Sequence, residues 1–488
     1  MGIMHWWKGF SAGTGNTATI DVVKAAPPPS PLAPVDLTDP TEVAAVMDVA
    51  ARIGDVLLSS GTSNRDTVAQ VHAVTSAYGL HYAHVDITLN TITVFTNIGV
   101  EKMVPVSVFR VVGHMTTDFS KLSAVDKLIR SIQAGATPVE RADAMLRSLY
   151  LTPPTYSHLT TLAGWGGLGA AVSVMLGGGM LAAVASFCIA VTIMATCWLL
   201  QRNKLAPFFQ NAIGGFIATV PAAFTYSMAQ LWGITIIPSH IIASGLVVLL
   251  AGLTLVQSLQ DGITGAPVTA SARFFETLLL TGAIIAGVGA GIRASVVLGI
   301  TLPPLDTFVD LSFGSAAVKI AAGVAASISY AVACQARNSA VFATALTAAL
   351  GASVYYLIIP LTGFTTIFAT SITATLLGLI GGLIARRYLI PPLITAIAGI
   401  TPLLPGLAIY RGMYAALHEQ ILVGFSNMAL ALSLAAALAS GVVLGEWIAR
   451  KLRRPPSLHL YRYFRSQKPA HAPNPPPTSH FLPPRLEN

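Results

Sequence analysis

Hydrophobic and polar positions change their spacing twice along this chain. Between Thr38 and Gly61, Val43, Val46, Ala50, Ile53 and Leu57 recur at helical intervals. Asp39-Pro40 supplies the start signal and Gly61 the stop. A second helix is predicted from about Ser63 to Tyr78. The period then shortens: HYAHVDITLN, TITVFTNIG and VPVSVFRVVG are short runs rich in Val, Ile, Thr and Phe, separated by turn residues as strands are. Two more helices fit 122–134 and 138–151. This order predicts a folded α+β domain over 38–156, long enough to bury a core of its own.

From Thr161 onward apolar runs take over. Ten segments approach the roughly 20 residues that cross a bilayer: 161–178, 180–200, 211–232, 237–257, 274–298, 313–334, 338–359, 362–384, 390–410 and 421–448. The ninth is interrupted by prolines. The predicted architecture is a polytopic α-helical membrane protein. A cytoplasmic α+β domain precedes helices 1–5 over 157–300 and helices 6–10 over 301–454. The ends read as disordered: residues 1–37 finish in KAAPPPSPLAP, and 455–488 are basic and Pro-rich.

Composition agrees with lipid as the solvent. The 488 residues are 54% hydrophobic and only 10% charged, with a mean hydropathy of +0.69. A soluble surface needs about a quarter of residues charged. The net charge of +8 does not imply nucleic acid, because no binding motif accompanies it and the basic residues gather at span ends. With a cytoplasmic N-terminus, the inner face takes Arg202, Lys204, Arg273, Arg337, Arg386, Arg387, Arg450, Lys451, Arg453 and Arg454. The outer face takes Arg293 and Arg411, with Lys319 just inside a span. That asymmetry orients both termini inward. Cys188, Cys197 and Cys334 show no metal spacing, and no phosphate-binding loop is present, so neither a cofactor nor ATP is expected.

Two parts of the membrane region echo each other. GGFIA at 214–218 returns as GGLIA at 381–385, AGLT at 251–254 as AGIT at 398–401, and Ile-Pro precedes the second word in both, at 237–238 and 390–391. Two sets of five spans must have opposite orientations, the inverted-repeat plan of many secondary transporters. Broken helices are expected at corresponding positions. In the first half Gly262, Gly265 and Pro267 would break the chain, and in the second Pro402, Pro405 and Gly406.

Thr254, Gln257, Ser258 and Asp261 form one polar stripe at i, i+3, i+4 and i+7 on an otherwise apolar helix. Ionisable groups in such segments face the bundle interior and tend to be functional. Asp261 is a candidate to meet an ammonium group or a proton, with Glu276 a second site for proton coupling. The alternative is that this stretch is a cytoplasmic loop with Asp261 solvated near Arg273. Thr401 adds a hydroxyl beside the second break, Arg411 a guanidinium suited to a carboxylate, and Asn211 an amide. Arg411 read structurally is a snorkelling anchor, Asn211 a helix cap, Lys319 an interfacial anchor and His240 a structural histidine. In the soluble part, Ser59, Ser60 or Ser63 could in principle act as a hydrolase nucleophile with His72, His81 or His84, and Asp86. SSGTSN reads better as a helix stop and cap.

The stretches ARIGDVLLSSGTSN, HVDITLNTITVFTNIGVE, VVLLAGLTLVQSLQDGITGAPVTASARFFETLL and IPPLITAIAGITPLLPGLAIYRGMYA resemble the threonine/serine exporter family, especially its actinobacterial members. With KAAPPPSPLAPVDLTD, IRSIQAGATP and GEWIARKLRRPP, the resemblance runs from about residue 24 to 456. It implies export of L-threonine and L-serine driven by the proton-motive force, with protons and membrane lipid as the other partners. The fold it implies is a cytoplasmic N-terminal domain followed by ten spans. A membrane-tethered hydrolase and a passive channel for small polar solutes are the competing readings. The sequence leaves the oligomeric state open, a homo-oligomer included.

Overall fold

The first helix, α1 (Pro40–Ser59), begins on a cap and a proline. Asp39 accepts a hydrogen bond from the Thr41 N–H at 2.8 Å, and Pro40 takes a first-turn position that needs no amide hydrogen. The chain leaves α1 through Gly61 at φ +89°, a conformation open to glycine at little cost. Ser63 then caps α2 (Asn64–Ala77) by accepting from the Asp66 N–H. The computed structural model of the protein describes residues 35–98, 103–113, 118–249, 251–303, 313–358, 362–388, 390–417 and 420–452. The N-terminal arm to residue 34 and the tail from 455 lie outside the described residues.

Strands β1 (His84–Thr88), β2 (Thr91–Ile98) and β3 (Val104–Val111) form an antiparallel sheet in that order. Alternation along β2 buries Ile92, Val94, Thr96 and Ile98 on the face that α1 covers with Val43, Val46, Met47 and Ile53. Helices α3 (Phe119–Gln133) and α4 (Val139–Leu151) complete this α+β layer. Partly buried ion pairs tie its elements together: Arg52 joins Asp48 to Asp143, and Arg110 on β3 reaches Asp55 at 3.0 Å.

The helices that follow are α5 (His158–Met175), α6 (Met180–Arg202), α7 (Pro207–Leu231), α8 (Pro238–Val248), α9 (Ala251–Ile263) and α10 (Pro267–Val297). Then come α11 (Phe313–Ala333), α12 (Asn338–Ser353, continued by a π-turn to Ile358), α13 (Thr366–Tyr388), α14 (Pro392–Ile400), α15 (Gly406–Leu417) and α16 (Ile421–Leu452). Among the described residues seven helices are long and apolar enough to cross a bilayer unaided, and α8 with α9 makes an eighth crossing bent by 52°. Large apolar side chains such as Phe187, Phe224, Phe275, Phe342 and Phe425 point outward, where only lipid satisfies them. The protein is a multi-pass membrane protein.

Glycine lets two helix pairs approach closely. A Cβ on Gly215 of α7 would stand 2.7 Å from the Ile284 carbonyl oxygen of α10, and one on Gly287 would collide with Ala212 O. In the second pair, a Cβ on Gly441 of α16 would stand 2.6 Å from Ser371 O of α13, and one on Gly445 would collide with Thr375 O. Small residues at such crossings replace the missing hydrophobic drive with van der Waals contact. Gly445→Val is therefore expected to destabilise the protein by roughly 1–3 kcal/mol, read as a lower midpoint for thermal unfolding in detergent. Gly282→Ala, where an added methyl meets nothing within 4 Å, should leave it unchanged.

Candidate functional site

Two interrupted spans meet near the centre of the bundle. The first bends between α8 and α9. The second is interrupted by a short 3-10 turn, Thr401–Leu403, and by Pro405 before α15 starts at Gly406. A Cβ on Gly406 would stand 2.7 Å from Val247 Cγ2 near the end of α8, so the two interruptions face each other. Pro402, Pro405 and Gly406 lie at the second break. Gly262, Gly265 and Pro267 do not lie at the first. They form the turn joining α9 to α10, with Gly265 at φ +98° and Pro267 in the first turn of α10. The AGLT and AGIT words also differ in place, one following its break and the other preceding it. The GGFIA and GGLIA words differ in place as well: Gly214 lies early in α7 and abuts Leu249 at the end of α8, whereas Gly381 lies late in α13 and abuts Thr395 in the first half of α14.

At the α9–α10 turn the chain forms a buried polar cluster roofed by the α+β layer. Arg273 Nη1 donates to Asp261 Oδ2 at 2.6 Å, and the side chain of Asp261 is 1% exposed. The Asn64 N–H, at the start of α2, donates to Asp261 Oδ1 at 3.2 Å. Asn64 Nδ2 donates to Thr269 Oγ1 at 2.8 Å and to Ile87 O at 3.1 Å. The Leu89 N–H, at the tip of the β1–β2 hairpin, also donates to Thr269 Oγ1 at 3.2 Å. Leu89 holds φ +57°, a left-handed conformation that costs a non-glycine residue on the order of 1–3 kcal/mol. Gly61 completes the roof: a Cβ there would stand 2.8 Å from Gln257 Nε2. Asp261 is therefore not a solvated loop residue. The layer is also fastened at the Phe119 N–H, which donates to Cys334 O at 2.9 Å, and at Asp66, 3.4 Å from Arg450 Nη1.

Two atoms in this cluster are unspent. Asn64 Oδ1, an acceptor, and Arg273 Nη2, a donor, are buried with no hydrogen-bond partner among the described residues. Each such orphan ordinarily costs about 1–3 kcal/mol.

Thr254 and Gln257 are half-buried on α9. Ser258 and Thr401 are buried and turn their hydroxyls back onto Leu255 O and Ile397 O. Asn211 donates to Pro207 O within the first turns of α7. Glu276 is exposed on α10, and Arg411 is half-buried on α15. The serines weighed as nucleophiles are structural. Ser59 and Ser60 donate to Val56 O, and Ser63 is the α2 cap. His72 meets Ser76 of its own helix at 3.1 Å, and Ser76 is buried.

At the end of the bundle away from the layer lies a cavity of about 500 Å³, bordered by Gly179, Tyr226, Ser239, His240, Tyr410 and Tyr414 among others. Apart from a passing weighing of His240, sequence reasoning missed it. Its wall comes from five separated segments, and no spacing rule joins them.

Residues 48–294 match the family described as "Putative threonine/serine exporter", and residues 319–448 match "Threonine/Serine exporter, ThrE". A "Threonine/serine exporter" of Corynebacterium glutamicum is 60% identical over 455 residues, 93% of either chain. A "Probable threonine/serine exporter" of Mycobacterium tuberculosis is 34% identical over 413 residues, 84% of this chain and 77% of the relative. No solved structure matches the chain. Similarity of that depth, end to end across the α+β layer and both interrupted spans, means that the chain belongs to the threonine/serine exporter family.

Proposed function

We propose that the protein exports L-threonine and L-serine across the cytoplasmic membrane by alternating access, exchanging amino acid for proton. The observation that carries this reading is the buried Asp261–Arg273 pair at the end of an interrupted span, roofed by Asn64 in a chain of this family. A carboxylate in that position can hold an ammonium group or a proton in turn. The two orphan atoms beside it, an acceptor on Asn64 and a donor on Arg273, suit the two ends of a zwitterion. Thr254, Gln257 and Thr401 supply hydrogen bonds for the hydroxyl and carboxylate on the way to the paired breaks. A site built to bond a hydroxyl disfavours cargo without one, because its own polar groups are then left unpaired. Arg411 lies on the far side of the second break, where it can help release the carboxylate.

Ten crossings in two inverted halves fit the packing. In each half the third helix packs on the fifth, α7 on α10 and α13 on α16. The fourth span is interrupted in both halves. The second part of each interrupted span also touches the fifth helix of the other half, α9 on α16 and α15 on α10. The Lys/Arg asymmetry puts the α+β layer and both termini in the cytoplasm. The layer is then the inner gate, and the arrangement described is closed inside.

The test is purified protein in liposomes with labelled threonine and an imposed pH gradient. Uphill movement that an uncoupler abolishes is expected. Movement that is only downhill and indifferent to the uncoupler would indicate a channel and overturn the proposal.

A further inference from the structure

The cavity opposite the layer lies between the first part of one interrupted span and the second part of the other, α8 and α15. Its volume of about 500 Å³ falls within the range of small-molecule sites. The wall is mixed in character: three tyrosines, a histidine and a serine stand among apolar groups such as Ile236 and Leu302. Ser239 is decisive. It is 7% exposed, borders the cavity, and its hydroxyl makes no hydrogen bond among the described residues. It occupies the second position of α8, whose N-cap, Ile237, offers no capping side chain; the His240 N–H turns back to Ile237 O at 3.1 Å, and the Ser239 N–H is left without a partner within the helix. A buried hydroxyl and a helix N-terminus facing one cavity form a carboxylate-sized anion site. The opposite wall supplies what a cation needs. Tyr410, only 2% exposed, and Tyr414 stand with ring centroids 6.2 Å apart. Tyr226 accepts a hydrogen bond from Gln230 and keeps its own O–H to donate. Tyrosine faces and oxygens attract an ammonium group.

We infer that this cavity is a second binding site for a small zwitterionic amino acid, the outward-facing position from which the cargo leaves. The Ser239 hydroxyl and the Ser239 N–H at the start of α8 hold the carboxylate, and Tyr410 and Tyr414 face the ammonium. The site rests on the orientation and transport reading proposed above. It lies a full span away from the Asp261 cluster, beyond the meeting point of the two breaks. It has room for water with the ligand, which suits release better than capture.

Gly179 gives access to the test. It borders the cavity, its φ of −73° accepts any side chain, and a Cβ there meets nothing within 4 Å. Gly179→Cys would be made with Cys188, Cys197 and Cys334 replaced by alanine. Right-side-out vesicles would then be treated with a membrane-impermeant thiol reagent. Labelling from outside is expected, slowed by external L-threonine or L-serine and not by lactate, which lacks the ammonium. Adding Ser239→Ala should preserve labelling, which shows the fold is intact. It should also raise the threonine concentration needed for protection by roughly tenfold, the loss of one hydrogen bond to a charged group. Labelling that no amino acid slows would make the cavity a vestibule only and overturn the inference. Labelling only from the inside, or none, would also overturn it. Because protection reads binding rather than transport, failure of uphill export in liposomes would count against the transport reading and leave this result standing.

Discussion

Asp261→Asn is expected to abolish uphill threonine export while leaving downhill exchange. The substitution keeps the shape of the side chain and an oxygen that can still accept from the Asn64 N–H, now at 3.2 Å. What it removes is the ability to alternate between charge and proton. Without that, the proposed exchange leaves a pH gradient no group through which to act. Cargo can still pass with its concentration gradient, but more weakly, because a charge-assisted hydrogen bond to the ammonium is lost. That is worth about 1.5–3 kcal/mol, roughly ten- to hundredfold in apparent affinity. The measurement is labelled-threonine counterflow beside gradient-driven uptake in the same liposomes. Gradient-driven uptake at the wild-type level would remove Asp261 from coupling.

Arg273→Gln has the largest expected effect on stability. Arg273 is the cation that compensates Asp261, and their side chains are 11% and 1% exposed. Removing one partner of such a pair strands the other charge in a poorly solvated site and costs about 3–5 kcal/mol, less whatever Asp261 recovers by taking up a proton. Thermal unfolding in detergent should show a large drop for Arg273→Gln. Most of the loss should be recovered in the double variant with Asp261→Asn, where no charge is left behind. Recovery without renewed uphill export would separate the structural role of the pair from its transport role. Equal stability of the single variant and the wild type would show that water reaches the pair.

Much of this was legible in the sequence, for identifiable reasons. Helical spacing from Val43 to Leu57, with Asp39-Pro40 and Gly61 at the ends, contains its own start and stop. Asp261 stood out because a carboxylate on an apolar helix has few benign explanations. What covers Asp261 was not legible. Asn64 lies 197 positions earlier in the chain, inside a stop-and-cap motif whose local role already explained every residue in it. The first interruption was misplaced for a related reason. Gly262, Gly265 and Pro267 mark a turn but say nothing about its depth. The bend itself follows the run GLVVLL, which has no proline to announce it. The cavity away from the α+β layer was missed because Ser239, at the start of α8, and Tyr410 on α15 are neighbours only through the meeting of two broken spans.

In the proposed mechanism the α+β layer must leave the α9–α10 turn for cargo to pass. Asn64 and Thr269 are in side-chain contact across that boundary, Nδ2 to Oγ1 at 2.8 Å. The direct measurement is threonine export by the double variant Asn64→Cys/Thr269→Cys, with the native cysteines replaced, before and after oxidation and again after reduction. Export should stop in proportion to the cross-linked fraction and return on reduction. Undiminished export by fully cross-linked protein would mean that the layer is a fixed lid and that cargo reaches the bundle by another route.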